Sequence, residues 1–229
     1  MTRLSVNLNK IALIRNSRGS NYPDLIQVAK DCERFGAQGI TVHPRPDERH
    51  CKFSDLPLLK EACTTEFNIE GYPNRHFLEE VIKVKPHQCT LVPDDPNQIT
   101  SDHGWDTIKH KSFLQEVIQE LKQHDIRVSL FIDADKKLIE GAAAVNADRI
   151  EYYTGPYAKN YSKNPENAIK ELKETCSLAV ELGLGINAGH DLNLDNLKYL
   201  KDNLPQLDEV SIGHALICDA IYLGLENTV

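Results

Sequence analysis

The chain lacks the features that mark membrane proteins and disulfide-rich secreted proteins. None of its 229 residues lies in a run approaching the ~20 apolar residues of a membrane helix, and the first ten residues lack the apolar core of a signal peptide. The six cysteines include no C-x-x-C pair, which argues against a zinc ribbon and a disulfide framework. We therefore predict a cytoplasmic protein with reduced thiols and no membrane segment.

The chain also lacks an excess of positive charge. Lys plus Arg is 26 and Asp plus Glu is 34, which leaves a formal net charge of −8. A protein that binds nucleic acid broadly needs a basic face, so we predict no nucleic-acid partner. The balance still permits a local cationic pocket for a phosphorylated metabolite. At 41% hydrophobic and 26% charged residues, the composition is that of an ordinary globular protein.

What the chain does contain is a repeated alternation of strand and helix patterns. Eight β-rich runs start 22 to 39 residues apart, a spacing that suits one strand, one helix and two loops. The predicted strands are Leu4–Asn7, Gly39–His43, Glu66–Glu70, Gln88–Val92, Arg127–Ile132, Arg149–Tyr153, Gly185–Ala188 and Glu209–Ile212.

Helical patterns lie between these runs. Apolar stripes run from Leu25 to Phe35, with Gly36 as a C-terminal cap, and from Phe113 to Leu121. Asn164-Pro165 begins another helix, because Asn caps a first turn and Pro suits its first position. A shorter helical pattern covers Leu194–Leu200.

This alternation predicts an α/β fold with a parallel sheet inside and helices outside. Eight units without a linker favour a closed (βα)8 TIM barrel forming a single domain over residues 1–229. An open doubly wound sheet is the alternative. The Rossmann form of that sheet lacks support, because no G-x-G-x-x-G follows the first strand.

Polar residues cluster where the predicted strands end, which in a TIM barrel is the catalytic face. A carboxylate between an apolar strand and a barrel mouth has its charged form disfavoured, which suits general acid–base catalysis. The strand-end residues are Asn7, Asn9, Lys10, His43, Arg45, Glu70, Glu151, His190, Gly213 and His214.

Each of these residues also has a structural interpretation. His43 or His190 could be a hydrogen-bonded histidine at a strand end, Glu70 could pair with a loop cation, and Glu151 could belong to an ion pair inside the barrel. Their shared placement at one end of one sheet favours a functional site.

Two features of the mouth suit phosphate. Arginine offers paired donors that match phosphate oxygens, and glycine before a helix allows close backbone approach. The cationic or donor side chains are Arg18, Arg45, Arg49 and His50. Gly189-His190 and Gly213-His214 follow strands seven and eight, the recurrent phosphate site of barrels.

The segment from Pro93 to Lys111 is longer and more polar than ordinary barrel loops. It contains Thr100 and the only tryptophan, Trp105. A long loop at the catalytic face could be a lid that excludes water. The alternative is a tolerated surface insertion.

A metal site is a competing interpretation of the same mouth. His43, Glu70, His190 and His214 could converge as ligands, with Asp133 and Asp135 as the carboxylates in support. The sequence has no H-E-x-x-H motif and no tight ligand pair, so we predict no metal site.

Together the motifs resemble the pyridoxine 5′-phosphate synthase family of the deoxyxylulose-phosphate route to vitamin B6. They follow the family's order from residue 4 to about residue 224. The matching stretches are VNLNKIALIRNSRG, GAQGITVHPRPDERH, FNIEGYP, LVPDDPNQITSDHGWD, VSLFIDAD, IEYYTGPYA, INAGHDLN and IGHALI.

The resemblance implies a (βα)8 barrel with additional short helices, assembled as a homo-octamer built from dimers. It implies condensation of 3-amino-2-oxopropyl phosphate with 1-deoxy-D-xylulose 5-phosphate to pyridoxine 5′-phosphate, phosphate and water. No cofactor and no metal are expected.

The resemblance also implies roles for single residues. The catalytic residues are His43, Glu70 and His190, and Glu151 steadies charged intermediates. Substrate contacts fall on Asn7, Arg18, Arg45, His50, Thr100, Gly213 and His214.

The chain departs from the family pattern in two places that we also expect to touch substrate. Asn9-Lys10 stands where many members have Asp-His, and Asp191 stands where the family has glycine. The first change makes the rim more positive, so we predict that Lys10 contacts deoxyxylulose phosphate.

Two other functions remain open on chemistry alone. One is a phosphosugar isomerase or aldolase on the same barrel, although no predicted strand contains the lysine that a Schiff-base aldolase needs. The other is a phosphometabolite-binding protein without turnover.

Overall fold

The computed structural model describes residues 1–94, 98 and 100–229. Within these residues, eight parallel strands close into one barrel in sequence order, β1 next to β2 and β8 next to β1. The prediction of a TIM barrel is confirmed. The strands are β1 Arg3–Asn7, β2 Gly39–Val42, β3 Glu66–Gly71, β4 Gln88–Leu91, β5 Arg127–Ile132, β6 Arg149–Tyr153, β7 Gly185–Gly189 and β8 Glu209–Ile212.

Helices cover the outside of the barrel, and several are shorter than a usual barrel helix. They are α1 Asn9–Asn16, α2 Leu25–Phe35, α3 Leu56–Ala62, α4 Arg75–Val84, α5 Lys111–Lys122, α6 Lys136–Ala144, α7 Gly155–Tyr161, α8 Pro165–Glu181, α9 Leu197–Asn203, α10 His214–Leu223 and α11 Leu225–Thr228. A 3-10 turn at Phe53–Asp55 leads into α3. None of the helices within the described ranges is long and apolar enough to cross a membrane.

The helix ends follow the capping signals in the sequence. Asp24 begins α2 by accepting hydrogen bonds from the backbone of Ile26 and Gln27, and Gly36 ends it with φ 120°. The Asn164 side chain accepts from Asn167 N–H at the start of α8, as predicted. The helix predicted over Leu194–Leu200 lies three residues later, because Asn193 and Asn196 first form a hydrogen-bonded turn.

The apolar core lies between the barrel and its helices, whereas the barrel interior is polar. Ser5 and Thr41 share a hydrogen bond of 2.8 Å, and Asn68 donates to Thr41 at 3.2 Å. Thr90 in turn donates to Asn68 at 3.1 Å. These side chains are all buried, so each polar group is satisfied by another inside the barrel.

The amino-terminal end of the barrel is closed by ion pairs. Glu66 pairs with Arg3 at 3.2 Å and with Arg127. Arg149 donates to Asn187 Oδ1 at 2.8 Å, and Asn187 donates to Glu209 at 3.4 Å. This end is held by paired charges, and the chemistry must therefore be sought at the other end.

The long segment after β4 divides into two parts. Gly104 N–H donates to Asp133 Oδ2 at 2.9 Å and Trp105 N–H to Phe131 O at 2.8 Å. Trp105 is only 2% exposed and packs against Tyr72. Gly104 and Trp105 are therefore packed against the barrel, whereas Asp106, Ile108 and Lys109 of the same segment are exposed. Residues 95–97 and 99 of this segment lie outside the described part of the chain.

Candidate active site

The carboxyl-terminal mouth brings the predicted strand-end residues into contact across strands that are far apart in sequence. Asn7 of β1 donates to Glu70 Oε2 at 3.4 Å, and His43 Nδ1 lies 3.9 Å from the same oxygen. A Cβ on Gly213 would lie 3.0 Å from the Asn7 Cβ, so the start of α10 closes over β1. Barrel closure therefore assembles one site from β1, β2, β3 and β8.

Glu70 is a buried carboxyl group without a cationic partner in direct contact. Burial raises its pKa to about 8, and the charges of Asp94 and Glu209 act in the same direction, while Arg45 opposes them. Its nearest polar neighbours are the Asn7 amide and, beyond hydrogen-bond distance, the His43 ring. Glu70 therefore carries its proton near neutral pH and can release it when a base or cation approaches.

His43 lies beside Glu70, and its pKa is shifted in the opposite direction. Its pKa is held well below the usual value, first by burial and then by the charges of Arg45, His50 and Arg49. The backbone N–H of His43 donates to Asn9 Oδ1 at 2.9 Å, which fixes the chain just past β2. A neutral imidazole beside a protonated carboxyl is an acid–base pair ready to exchange protons with a substrate.

Glu151 lies deeper in the barrel, next to Gly189. Burial raises its pKa well above the usual value, and the negative charges of Glu70 and Glu209 add to that effect. Its Oε2 has no hydrogen-bond partner among the described residues. A Cβ on Gly189 would lie 2.3 Å from the other oxygen, so a larger residue there would force the Glu151 carboxyl to move.

His190 follows β7 on a strained turn. Its φ is +86° and that of Asp191 is +57°, in the left-handed region that glycine favours and Asp tolerates. His190 Nε2 shares a hydrogen bond of 2.9 Å with Thr100, and its Nδ1 lies 3.2 Å from Asp191 Oδ2 without hydrogen-bond geometry. Thr154 donates to the carbonyl oxygens of Gly189 and His190 and so supports the turn.

Cationic side chains surround the β2 side of the mouth. Arg45 is 5% exposed and pairs with Asp94 at 2.8 Å. Burial lowers the pKa of His50 to about 4, and the charge of Lys10 is the next largest cause, followed by those of Arg49 and Arg45. Lys10 lies half-buried in the first turn of α1 and acts on the same histidine. This side of the mouth offers positive charge to an anionic group.

Three predicted contact residues are exposed or already hold another group. Arg18 is exposed in the turn after α1, and its side chain makes no hydrogen bond or ion pair to another described residue. His214 is exposed at the start of α10, with Cys218 Sγ 3.7 Å from its Nε2. Asn9 uses its side-chain oxygen to hold His43, a positioning role that the sequence does not reveal.

The carboxylates considered for a metal site have other partners. Asp135 caps α6 by accepting from the backbone of Lys137 and Leu138, and Asp133 accepts from Gly104 N–H. Their spacing before a helix, D-A-D-K-K-L, is an N-cap signal that could have shown this. Within residues 1–94, 98 and 100–229, no group of three or more such side chains lies close enough to hold a metal ion.

Sequence reasoning missed Asp94. It lies three residues past β4 at the same mouth, it is 4% exposed, and it holds both Arg45 and Ser101. Its position after a strand end was the available signal, but it stands at the start of a polar segment that reads as a loop. Fold and site together define a TIM barrel with an acid–base site, lined by cations, at its carboxyl-terminal mouth.

Comparison with known proteins assigns this barrel to a family. Residues 4–229 match the family model described as pyridoxal phosphate biosynthesis protein PdxJ, and the chain belongs to that family. It is 63% identical to the pyridoxine 5′-phosphate synthase of Cytophaga hutchinsonii, over 100% of this chain and 96% of the relative. It is 57% identical to the synthase of Bacteroides thetaiotaomicron, over 100% and 97%. The family resemblance and the prediction of such an enzyme are confirmed.

A more distant likeness shows the fold alone. Phosphoribosylanthranilate isomerase from Thermotoga maritima superimposes with a TM-score of 0.62 at 12% sequence identity, covering 100% of this chain and 98% of the isomerase. It supports the barrel but says nothing of the reaction, because sites on this fold vary independently of the scaffold.

Proposed function

We propose that this protein joins 3-amino-2-oxopropyl phosphate to 1-deoxy-D-xylulose 5-phosphate and closes the ring to give pyridoxine 5′-phosphate, phosphate and water. The observation that carries the proposal is the buried Glu70 beside a neutral His43, in a chain 63% identical to a pyridoxine 5′-phosphate synthase. The reaction consists of amine–carbonyl condensation, several dehydrations, loss of one phosphate and ring closure, each of which moves protons. Groups that change protonation near neutrality suit such a sequence.

Glu70 and His43 divide the first proton transfers between them. In its protonated form Glu70 donates to a leaving oxygen, and in its ionised form it takes a proton from the substrate amine or the condensed imine. His43, neutral and 3.9 Å from Glu70, deprotonates carbon and protonates leaving hydroxyls. A carboxyl whose pKa lies close to the working pH passes through both forms in one turnover.

Glu151 and His190 serve the later steps. Positive charge develops on nitrogen as the imine and the ring form, and the Glu151 carboxyl stabilises it once ionised. Its proton is lost more readily when such a cation lies nearby, because the cation favours the charged carboxylate. His190, oriented by Thr100, acts on elimination and ring closure.

The two substrate phosphates bind the cationic and backbone donors of the mouth. Arg45, His50 and Lys10 form the side-chain group. The starts of the segments after β7 and β8, at Asp191 and at Gly213-His214, supply backbone N–H groups. Asn7 and Arg18 complete the predicted contacts, and Asn9 contributes by holding the His43 backbone.

The experiment is direct. The purified protein is incubated with both substrates, and pyridoxine 5′-phosphate is followed by its absorbance and by mass spectrometry. We expect product only when both substrates are present. A protein that binds either substrate tightly and yields no product would contradict the proposal.

Four further expectations belong to the same proposal. The protein acts in the cytoplasm, its 229 residues form a single catalytic domain, and it assembles as a homo-octamer of dimers, which light scattering would measure. The segment Pro93–Lys111 acts as a lid over bound substrate, so protease cleavage within it should fall when phosphate ligands are added. Equal cleavage with and without ligand would favour a passive insertion.

A further inference from the structure

Asp94 links two loops at the mouth and has no assigned role in the reaction. Its Oδ2 accepts from Arg45 Nη2 at 2.8 Å and from Ser101 Oγ at 2.7 Å. Arg45 belongs to the loop after β2, whereas Asp94 and Ser101 belong to the segment after β4. Because Arg45 and Ser101 both donate to the same oxygen, the carboxylate is fixed in place.

The other oxygen of Asp94 is buried without a partner. Oδ1 makes no hydrogen bond to any residue that the structure describes. Asp94 borders a small cavity of ≈ 20 Å³ lined also by His43, Arg45 and Tyr72, and a space of at least about 10–15 Å³ can hold one water molecule. A buried anionic oxygen of this kind costs free energy, so its retention at a catalytic mouth indicates a function.

Asp94 also acts on Glu70 through its charge. Among the charges near Glu70, that of Asp94 is the largest that raises the pKa of this carboxyl, and the Arg45 charge opposes it. Asp94 thus holds the cation that would otherwise draw Glu70 into its ionised form.

We propose that Asp94 is a positioning residue of the function proposed above: it orients the Arg45 guanidinium for a substrate phosphate and sets the electrostatic surroundings of Glu70. It does both from one fixed carboxylate. Arg45 retains free N–H donors for a phosphate, because Asp94 engages Nη2 and the Gln98 carbonyl engages Nη1.

Asp94 is one of several groups that surround Glu70, and the other groups limit how far the Glu70 pKa can change when the Asp94 charge is removed. Asn7 and His43 are in nearest contact, and Arg45 is the neighbouring cation. The remaining titratable neighbours are Cys89 on β4, Glu151 on β6 and Glu209 on β8. Burial and the charge of Glu209 remain in an Asp94 variant, so the Glu70 pKa should fall without returning to its ordinary value.

The test begins with Asp94→Asn, which keeps the shape of the side chain and removes its charge. The Glu70 carboxyl is titrated by ¹³C NMR in protein labelled at glutamate Cδ, without substrates, and the signal is assigned by its loss in Glu70→Gln. We expect the Glu70 midpoint to fall by about one pH unit, since a like charge has been removed. An unchanged midpoint in a folded variant would overturn the proposal.

Two variants serve as controls. Asp94→Glu keeps the charge, and we expect its Glu70 midpoint to return toward that of wild type. Asp102→Asn removes an exposed carboxylate from the same segment, 68% exposed, and should leave the midpoint unchanged. A shift in Asp102→Asn equal to that in Asp94→Asn would show a general charge effect and contradict the specific role of Asp94.

Kinetics test the orientation of Arg45 separately. Ser101→Ala removes one anchor of Asp94 but keeps its charge, so KM for one phosphorylated substrate should rise about two- to tenfold, the equivalent of one hydrogen bond. Unchanged KM for both substrates would contradict this part of the proposal, even if Asp94→Asn failed to fold. The NMR titration does not depend on turnover. If the wild-type protein formed no product, the proposed function would be wrong, but the titration would still test the effect of Asp94 on Glu70.

Discussion

Glu66 and Glu70 stand four residues apart on β3 and face the same interior, yet their surroundings are opposite. Their side chains are almost equally buried, 10% and 11% exposed. Glu66 at the amino-terminal end pairs with Arg3 and Arg127. Glu70 at the mouth meets only an amide and a neutral imidazole in direct contact. Burial is therefore not what separates a structural carboxylate from a reactive one; the partners are.

The two ends of the barrel extend this contrast. At the amino-terminal end guanidinium groups lie near the carboxylates. Glu209 is an exception, because one of its oxygens has no hydrogen-bond partner among the described residues and burial raises its pKa to about 7. At the mouth, carboxyl and imidazole groups are buried without full pairing. A paired charge is fixed in one protonation state, whereas an unpaired buried group can change state at modest cost. The barrel is stabilised at one end and reactive at the other.

The largest expected effect is on turnover. Glu70→Gln should lower kcat by about 10²–10⁴-fold, because the group that exchanges protons is lost. Product formation is followed by absorbance, and circular dichroism checks the fold. Glu66→Gln is the matched control on the same strand face and should keep kcat within a few-fold of wild type. A Glu70→Gln enzyme with most of the wild-type kcat would remove Glu70 from the mechanism.

A lysine at the mouth should affect the KM for a substrate, whereas a lysine at the amino-terminal end of the barrel should not. Lys10→Ala should raise KM for deoxyxylulose phosphate selectively, since a contact to a charged group contributes roughly 1.5–3 kcal/mol. Lys60, half-buried on α3 and acting on His87, is the control, and Lys60→Ala should leave both KM values unchanged. If Lys10→Ala behaves like Lys60→Ala, Lys10 is only a solubilising charge.

The amino-terminal pairs should appear in stability. Glu66→Gln leaves Arg3 and Arg127 without their carboxylate, which should lower the free energy of unfolding by about 1–3 kcal/mol. Urea denaturation followed by circular dichroism measures the change. Glu70→Gln should show no comparable loss, because its carboxyl has no cation in contact. Equal destabilisation by both variants would break the contrast between the two ends.

The last expected effect is a change of the free energy of unfolding with pH. Glu70 holds a proton in the folded state up to a pKa of about 8, but in the unfolded state only up to its ordinary value near 4.5. Folding is therefore favoured at low pH, and this contribution is lost as the pH rises through that window, by up to about 1.4 kcal/mol per pH unit. The difference between wild type and Glu70→Gln, measured by urea denaturation at pH 5, 6, 7 and 8, isolates it. A difference that does not change with pH would show that Glu70 is ionised throughout.

Most of the fold and much of the site could be predicted from local pattern. Each predicted strand matches an observed strand to within one residue at either end, because β-rich runs and turn residues are local signals. His43, Glu70, Glu151 and His190 could be placed at or near strand ends in the same way. The Leu194–Leu200 helix was misplaced, because two asparagine side chains delay its start through contacts that no periodicity shows.

Sequence by itself determined the order of strands and helices, the residue types at each strand end and the family to which the chain belongs. Only the tertiary structure decided which of those residues meet. It joined the Asn9 side-chain oxygen to the His43 backbone N–H, buried Trp105 of the segment that the sequence suggests as a lid, and paired Arg45 with Asp94. Periodicity and capping act within a few residues, whereas these partners lie 34 to 49 residues apart in the chain and meet only when the barrel closes. The same closure places Glu70 with no lysine or arginine in contact among the described residues.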